Sequence, residues 1–267
     1  MISADLALAR RLEAGEAANA RGCSPGEGSA VLEAAGGWVI FAGAESPLTQ
    51  AVGIGLRGPV RGVELEVIER FLVSRGARVS IDLCPLADST LVEALGARGY
   101  HITEFNNVLV KPLAGGEIVF TPRVRRAVAG ESDLWSHTVG RGFFEQMELT
   151  TAEMEVGRAI FRMPEALCYL GAGENGQPAA GAALAVRDGL AILFADSTVE
   201  EHRRHGLQRD LIVARLNEAL AHGCDLATAS TAPGSASQRN YERMGFRVAY
   251  TKVTLVGGSG RGVRVAG

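Results

Sequence analysis

The stretch LAILFADSTVEEHRRHGLQRDLIVARLNEAL, residues 190–220, decides the fold of this 267-residue chain. It begins with an apolar run that ends at Asp196, Ser197 and Thr198, which is typical of a buried strand. A polar, arginine-rich turn comes next, and from Leu207 onward apolar residues recur at helical spacing, at positions 211, 212, 216 and 220. The stretch therefore predicts a strand, a loop and an amphipathic helix, an arrangement that suits phosphate binding.

The turn between this strand and this helix carries the pattern Arg203-x-x-Gly206-x-Gln208. Glycine at position 206 lets the backbone approach a ligand closely, and the first amides of a helix have no partner within the helix. Such amides, beside Arg203 and Arg204, favour a pyrophosphate group. An ordinary cationic helix start would carry the same few residues, so the interpretation depends on the downstream part of the chain.

Two downstream segments support the phosphate-binding interpretation. Residues 225–231 read as a strand of small residues, and residues 237–246, SQRNYERMGF, read as a helix leading through Gly245 into a last strand. With Arg203-x-x-Gly206-x-Gln208 and Tyr241-x-x-x-Gly245-Phe246 in this order, the chain resembles the GNAT superfamily of acyl-CoA-dependent N-acyltransferases. The resemblance covers residues 123–256.

The resemblance implies an α/β fold with a mixed sheet, and acetyl-CoA as the co-substrate. In this family the sheet splays at the end of the strand that finishes here near Asp196, and the pantetheine arm pairs with main-chain groups as an added strand would. The cofactor site implied by the resemblance comprises Thr198, Val199, Arg203, Arg204, His205, Gly206, Leu207, Gln208 and Ser237. The implied reaction transfers an acyl group from the CoA thioester to a primary amine.

Two side chains are candidates for the proton transfers of this reaction. An alkyl amine with a pKa near 10 is mostly protonated at neutral pH, so a base is needed, and Asp196 is the only carboxylate on the strand. Relay through water, or a hydrogen-bonding role for Asp196, is an open alternative. Tyr241 stands where the family places the general acid that protonates the CoA thiolate; packing in the core is its alternative role.

Some positions depart from the family pattern. Gln208 stands where the family prefers glycine or alanine, and Gly234 stands where asparagine is common. The family often has a glutamate earlier on the strand that ends near Asp196, but residues 190–192 carry none. The connection at residues 143–148 lines the acceptor site in the family, which makes Glu145 and Glu148 candidates for holding a cationic amine. The alternative is that Glu145 and Glu148 are solvated acids on a surface loop with no role in binding.

The first half of the chain reads as a shortened copy of the second. Helices are expected at residues 4–20, 63–74 and 89–97, a loop at residues 21–28, and strands at residues 38–42, 50–56, 79–83 and 100–110. Arg98-Gly99-Tyr100 corresponds to Met244-Gly245-Phe246, so residues 37–113 are interpreted as an internal repeat. A separate α/β domain with the same alternation of strands and helices is the alternative.

This first copy lacks the residues expected for cofactor binding and catalysis. Its loop at residues 57–62 has no matching arginine–glycine spacing, Pro59 removes an amide, and Leu95 occupies the position of Tyr241. The predicted organisation is a degenerate GNAT-like domain at residues 1–116 and a catalytic domain at residues 117–267. A linker is expected at residues 112–116.

Composition excludes several other classes of protein. The net charge is −3 and basic residues alternate with acidic ones, which argues against nucleic acid as a partner, and no segment is apolar and long enough for a membrane span. The four cysteines lack metal-ligand spacing, so no metal is expected and they read as buried thiols in a reducing compartment. We expect a cytoplasmic monomer or homodimer that acts on a small-molecule or peptide amine.

Two functions of other classes are compatible with parts of the sequence. A non-enzymatic acyl-CoA-binding sensor would need the cofactor loop but no phenol at the leaving sulfur. A nucleotide-phosphate-binding protein is disfavoured because no G-x-x-x-x-G-K-[ST] pattern comes after any strand.

Overall fold

The computed structural model describes residues 4–23, 28–115 and 120–257. Four of the eight residues of the expected loop at 21–28, and the last residue of the expected linker at 112–116, lie outside the described residues. Within the described chain all four cysteines are free and buried, as expected.

The eleven described strands form one mixed sheet in the order β1-β2-β3-β4-β11-β5-β10-β9-β8-β7-β6. The strands are β1 (Ala30–Ala34), β2 (Gly37–Phe41), β3 (Gln50–Val52), β4 (Ser80–Leu83), β5 (His101–Pro112), β6 (Val124–Arg126), β7 (Ala166–Ala172), β8 (Pro178–Arg187), β9 (Leu190–Thr198), β10 (Leu226–Thr231) and β11 (Arg247–Val256). The helices are α1 (Leu6–Gly22), α2 (Gly62–Val73), α3 (Ser89–Ala97), α4 (Ser132–Phe144), α5 (Thr151–Phe161), α6 (Leu207–Ala221) and α7 (Ala236–Arg243).

The two halves of the chain exchange their last strands. The first half contributes β5, which pairs antiparallel with β10, and the second half contributes β11, which pairs antiparallel with β4. Two antiparallel strand pairings in the first half, and three in the second half, lead to one parallel pairing, β3 with β4 and β9 with β10. Apart from β6, an additional outermost strand of the second half, the strand order is therefore the same from either edge of the sheet to the central pair β5 and β11, as expected for an internal repeat in which the first copy is shortened.

Helices cover both faces of the second half of the sheet. Ala182 and Leu184 of β8 belong to the apolar cluster around α6, whereas Ala183 between them belongs to the cluster around Trp135 of α4. Because successive side chains of a strand point to opposite faces, α4 and α6 lie on opposite sides of the sheet. Burial of both faces explains why β8 is apolar almost throughout its length.

Local capping fixes where several helices begin. Asp5 accepts a hydrogen bond from the amide of Leu8 at the start of α1, at 2.8 Å. Thr150 and Glu153 form a capping box at the start of α5, and Ser235 caps α7 through the amide of Gln238 at 3.0 Å. These side chains satisfy amides that the helices themselves leave unpaired.

A buried ionic network joins α1 to the exchanged strand. Tyr250 of β11 donates a hydrogen bond of 2.7 Å to Oε1 of Glu13, while Lys252 Nζ lies 2.6 Å from Glu16 Oε1 and 3.2 Å from Asp82 Oδ2. Burial raises the pKa of Glu13 to about 7, although Lys252 opposes this shift. The Oε2 atom of Glu13 has no hydrogen-bond partner among the described residues.

Most predicted elements are present, with two corrections in the first half. The strand expected at residues 50–56 ends at Val52, because Gly53 and Gly55 have φ values of 68° and 75°, outside the strand region. Strand β1 was not predicted. Its alternating exposure places only every second side chain against the sheet's core, and its five residues are too few to show a clear period.

Candidate functional site

Strand β9 has a bulge near its end, where it also leaves its parallel neighbour. The register with β8 shifts between the pairs Gly181–Ser197 and Ala183–Phe194, and Ala195 has a φ of 55°. Pairing with β10 ends at Leu193, whereas pairing with β8 continues to Thr198. The last residues of β9 are thus paired on one side only, so main-chain groups on the other side face a gap in the sheet.

The arginine-rich turn and the start of α6 lie beside this gap. Gly206 has a φ of 81° and directly precedes the first residue of α6. The first hydrogen bond of the helix runs from the amide of Asp210 to the carbonyl of Gly206, at 3.1 Å. Arg123 steadies the turn by donating to the His205 carbonyl at 3.0 Å and pairing with Asp210 at 2.6 Å. Amides 207–209 precede the first helical bond, which leaves them available to an anion.

The predicted cofactor residues differ in what their side chains do. Arg203 is used by the fold, because it donates to the carbonyls of Thr198 and Gly142 at 3.2 and 3.0 Å and pairs with Glu145 at 2.8 Å. Arg204, with a φ of 69°, is exposed, and so is His205. Leu207 and Val199 are buried in the core, so their side chains are not available to a ligand. The main chain of Val199 is also used by the fold, because its amide donates to the Ala179 carbonyl at 2.9 Å and its carbonyl accepts from the amide of His202 at 3.0 Å.

Gln208 connects the two helices that flank the gap. Its side-chain amide donates to Ser237 Oγ at 2.8 Å, and its carbonyl accepts from Asn240 Nδ2 at 2.8 Å. The Gln208 side chain is therefore directed toward α7 rather than toward the turn. This orientation explains how a glutamine fits at a position where the family prefers a smaller residue.

The two predicted catalytic residues are in direct contact with each other and with a buried arginine. Tyr241 donates a hydrogen bond of 2.7 Å to Asp196 Oδ2. Arg215 of α6, whose side chain is 0% exposed, pairs with both carboxylate oxygens, at 3.0 Å from Nη1 to Oδ2. It also donates to the carbonyl of Ala183, at 3.0 Å. We call Asp196, Arg215 and Tyr241 the buried triad.

Contacts within the buried triad and burial together set the protonation of Tyr241 and Arg215. Burial raises the pKa of Tyr241 well above its ordinary value, although Arg215 opposes this, so the phenol keeps its proton at neutral pH. Burial alone would lower the pKa of Arg215, but Asp196 holds it raised. The phenol can therefore act as a donor, and in this structure its proton is directed to Asp196. Of the alternatives open for Asp196, this geometry favours the hydrogen-bonding role.

Arg215 was not identified from the sequence, although the sequence contains a signal for it. Position 215 lies four residues after Leu211 and three after Ile212, on the apolar stripe of α6. A charged side chain in the middle of an apolar stripe must be paired if it is buried. An acidic partner on the facing strand could have been inferred on this ground.

The acceptor candidates lie in the connection between α4 and α5. Glu145 ends α4 with a φ of 55° and is paired with Arg203, so its carboxylate already has a cationic partner. Glu148 is exposed. Among the contacts of the described chain, neither carboxylate touches the buried triad. Over the described residues, no group of three or more His, Cys, Asp or Glu is arranged to hold a metal ion.

The corresponding place in the first half is closed. Glu64 accepts a hydrogen bond of 3.0 Å from the amide of Arg61, so the chain's own carboxylate occupies the start of α2. Beside the end of β3, a Cβ at Gly53 would lie 3.6 Å from Ala17 of α1, which shows that α1 covers this strand end. Leu95, at the position of Tyr241, is fully buried.

Known proteins share this fold and part of this sequence. Residues 134–246 match the family described as Acetyltransferase (GNAT) family. A GCN5-related N-acetyltransferase from Kribbella flavida has a TM-score of 0.68 and 21% identity, covering 95% of this chain and 96% of that chain. A tandem GNAT protein from the clavulanic acid biosynthesis pathway, solved without AcCoA, has a TM-score of 0.61 and 15% identity, over 97% and 98%.

A third structure, a GCN5-related N-acetyltransferase from Sphaerobacter thermophilus, has a TM-score of 0.56 and 13% identity, covering 85% of this chain and 75% of that chain. At such identities these likenesses concern the fold, and they confirm the predicted fold class. No curated protein matches the chain. Within the described ranges, no helix has the length and apolar character needed to cross a membrane.

Proposed function

Because residues 134–246 of this chain match the GNAT family of acetyltransferases, we propose that the protein is an acyl-CoA-dependent N-acyltransferase that moves an acetyl group to a primary amine. One observation carries the proposal. The end of β9, paired on one side only, lies beside the start of α6, so main-chain groups for a thioester and amides for a pyrophosphate are found next to each other.

The residues around α6 fit a CoA pyrophosphate. Gly206 has a positive φ, and a Cβ there would lie 3.5 Å from Arg123, so the absence of a side chain keeps the approach to the helix start open. We propose that amides 207–209 bind the phosphates and that exposed Arg204 and His205 contribute side-chain contacts. The proposed role of Arg203 is to position the turn, since its donors are already used. Thr198 contributes main-chain atoms and Ser237 contributes its hydroxyl, whereas the proposed role of Val199 is to hold the end of β9 through its own main-chain hydrogen bonds.

CoA supplies the activated acyl group as a thioester, and the chain supplies orientation and proton transfer. Main-chain groups at the end of β9 would hold the carbonyl. Tyr241 is proposed as the proton donor to the departing thiolate, turning its hydroxyl from Asp196 toward the sulfur. Asp196 is proposed to orient that hydroxyl, and the amine proton leaves through water.

One feature of the buried triad favours a second candidate function. The hydroxyl of Tyr241 is buried and already hydrogen-bonded, as expected of a structural tyrosine. A non-enzymatic acyl-CoA sensor would need no more than this.

The proposed partners are a small-molecule or peptide amine, and the proposed location is the cytoplasm, where buried free thiols such as Cys84 and Cys168 remain reduced.

Release of free CoA thiol from acetyl-CoA decides between the two functions. A transferase releases thiol in proportion to added amine, with an acetylated amine as the second product. A sensor binds acetyl-CoA and releases no thiol beyond the rate without amine, whichever amine is supplied.

A further inference from the structure

A cavity of about 830 Å³ lies between the two halves of the chain, on the side of the sheet covered by α4 and α5. The first half contributes the end of β2 and the adjoining loop, residues 41–48. The second half contributes Phe144 of α4 and one face of α5, residues 152–159. A cavity of this size accommodates an organic molecule larger than an acetyl group.

The cavity and the end of β9 are connected through residues that they have as common neighbours. Its lining residue Leu48 packs against the same apolar cluster as Phe194 and Ala195, which flank the bulge. On the other wall, Phe144 comes two residues after Gly142, and a Cβ at Gly142 would lie 2.7 Å from the carbonyl oxygen of Thr198. These two links place the cavity on the same side of the sheet as the end of β9, near the place proposed for the thioester.

The lining combines apolar surface with negative charge. Among the lining residues that the structure describes, Phe41, Leu48, Phe144 and Val156 are apolar, Glu45, Glu153 and Glu155 carry carboxylates, and none is Lys, Arg or His. This composition favours an amphipathic cation over a neutral or anionic molecule.

The three carboxylates are not equally available to a ligand. Glu153 caps α5 and accepts hydrogen bonds from the amide and hydroxyl of Thr150, both at 2.8 Å. Glu155 pairs with Arg162. Glu45 is exposed, and its carboxylate makes no hydrogen bond or ion pair within the described part of the chain. One carboxylate is thus left to bind a positive charge.

The loop that carries Glu45 is held in a fixed conformation. Thr49, which is buried, accepts a hydrogen bond of 2.9 Å from the amide of Ala42 and donates one of 2.6 Å to the carbonyl of Gly43. A loop ordered in this way loses little conformational freedom when it binds a ligand.

We propose that this cavity binds the acceptor, and that the acceptor is an amine with an apolar body and a second positive charge, which pairs with Glu45. The proposal rests on the acyltransferase function proposed above. The reacting nitrogen points to the end of β9, the apolar body lies against the aromatic side chains, and the second cation lies in the first half of the chain. In this arrangement the degenerate half selects the acceptor.

The test compares two amines that differ in one charge, para-xylylenediamine and para-methylbenzylamine. Calorimetric titration of the full chain should show the diamine binding about fivefold more tightly than the monoamine, the effect of one partly exposed ion pair. Glu45→Gln should remove this difference. Glu33→Gln, which changes an exposed carboxylate of β1 outside the cavity, should preserve it.

A second variant tests the cavity itself. Ala152→Trp places a large side chain at an exposed position of the lining, so both amines should bind at least fivefold more weakly while CoA affinity and melting temperature stay unchanged. Failure of the wild-type chain to bind either amine, equal affinity for the two, or insensitivity to both Glu45→Gln and Ala152→Trp would each overturn the proposal.

Thiol release, measured in the same samples, separates this proposal from the transferase function. Amine binding that depends on Glu45 without any thiol release would leave the cavity site standing and refute the transferase. Amine-dependent thiol release that is unchanged in both variants would support the transferase and refute the cavity site.

Discussion

Tyr241 is the residue whose role matters most for the chemistry. Tyr241→Phe keeps the ring that packs edge-to-face on Phe246, with centroids 4.9 Å apart, and removes only the hydroxyl. Acyl transfer should slow by roughly a hundredfold, as for loss of a general acid, with CoA affinity nearly unchanged. Steady-state rates and calorimetry measure the two effects.

A matched control for this variant is Tyr100→Phe, which removes a hydroxyl bonded to Glu69 in the first half at 3.0 Å. It should leave the rate of acyl transfer unchanged. If Tyr241→Phe turns over at the wild-type rate and only lowers the melting temperature, the tyrosine is structural and the sensor function gains support.

Glu13 makes stability depend on pH. Because its pKa is raised to about 7 in the folded protein from an ordinary 4.5, the folded state favours the protonated carboxyl. This contribution is fully present below pH 4.5 and is lost as the pH rises through 7. Its size is on the order of 3 kcal/mol.

Glu13→Gln, which stays neutral at every pH, should therefore unfold at the same temperature as the wild type near pH 4.5 and at a higher temperature near pH 8. Thermal melts across this range measure the difference. A wild-type chain that is as stable as the variant at pH 8 would show that the carboxylate is well compensated by Lys252 in its charged form.

At the scale of the secondary-structure elements, the buried triad joins the bulge of β9 to α6 and α7. Arg215→Met removes the charge that compensates Asp196 inside the core, and should lower the free energy of unfolding by about 3–5 kcal/mol. Chemical denaturation measures it. Arg209→Met, an exposed arginine on the same helix, is the matched control and should change stability by less than about 0.5 kcal/mol.

The double variant Arg215→Met with Asp196→Asn sharpens this test. Removing both charges should cost less than the sum of the two single changes, because neither charge is then left unpaired. Strictly additive effects would mean that the pair contributes nothing beyond its separate residues.

The sequence predicted the elements better than their pairing. Strand β9, its turn and α6 were readable because a strand and a helix leave local periodic patterns. The exchange of β5 and β11 between the halves could not be predicted, because the apolar pattern of a strand shows which face is buried but does not show which strands lie beside it. Likewise the contact between Asp196 and Tyr241 joins residues 45 positions apart.

At the scale of the whole molecule, the exchanged strands bear on the predicted domains at residues 1–116 and 117–267. A chain of residues 117–267 alone would lack β5, and would leave β10 and β11 with unpaired edges. We expect this fragment to aggregate or stay unfolded by itself, and to give a folded complex when it is produced together with residues 1–116. A fragment that folds as a stable monomer would contradict this expectation.

Stoichiometry of CoA binding tests the central claim most directly, because the claim is that one half binds the cofactor and the other has lost the ability. Calorimetric titration should give one CoA per chain. Gly206→Val should weaken binding at least about tenfold, and Gly62→Val, at the start of α2, should leave it unchanged. Two equivalent CoA molecules per chain, or a Gly206→Val variant that stays folded and binds CoA as tightly as the wild type, would contradict the account.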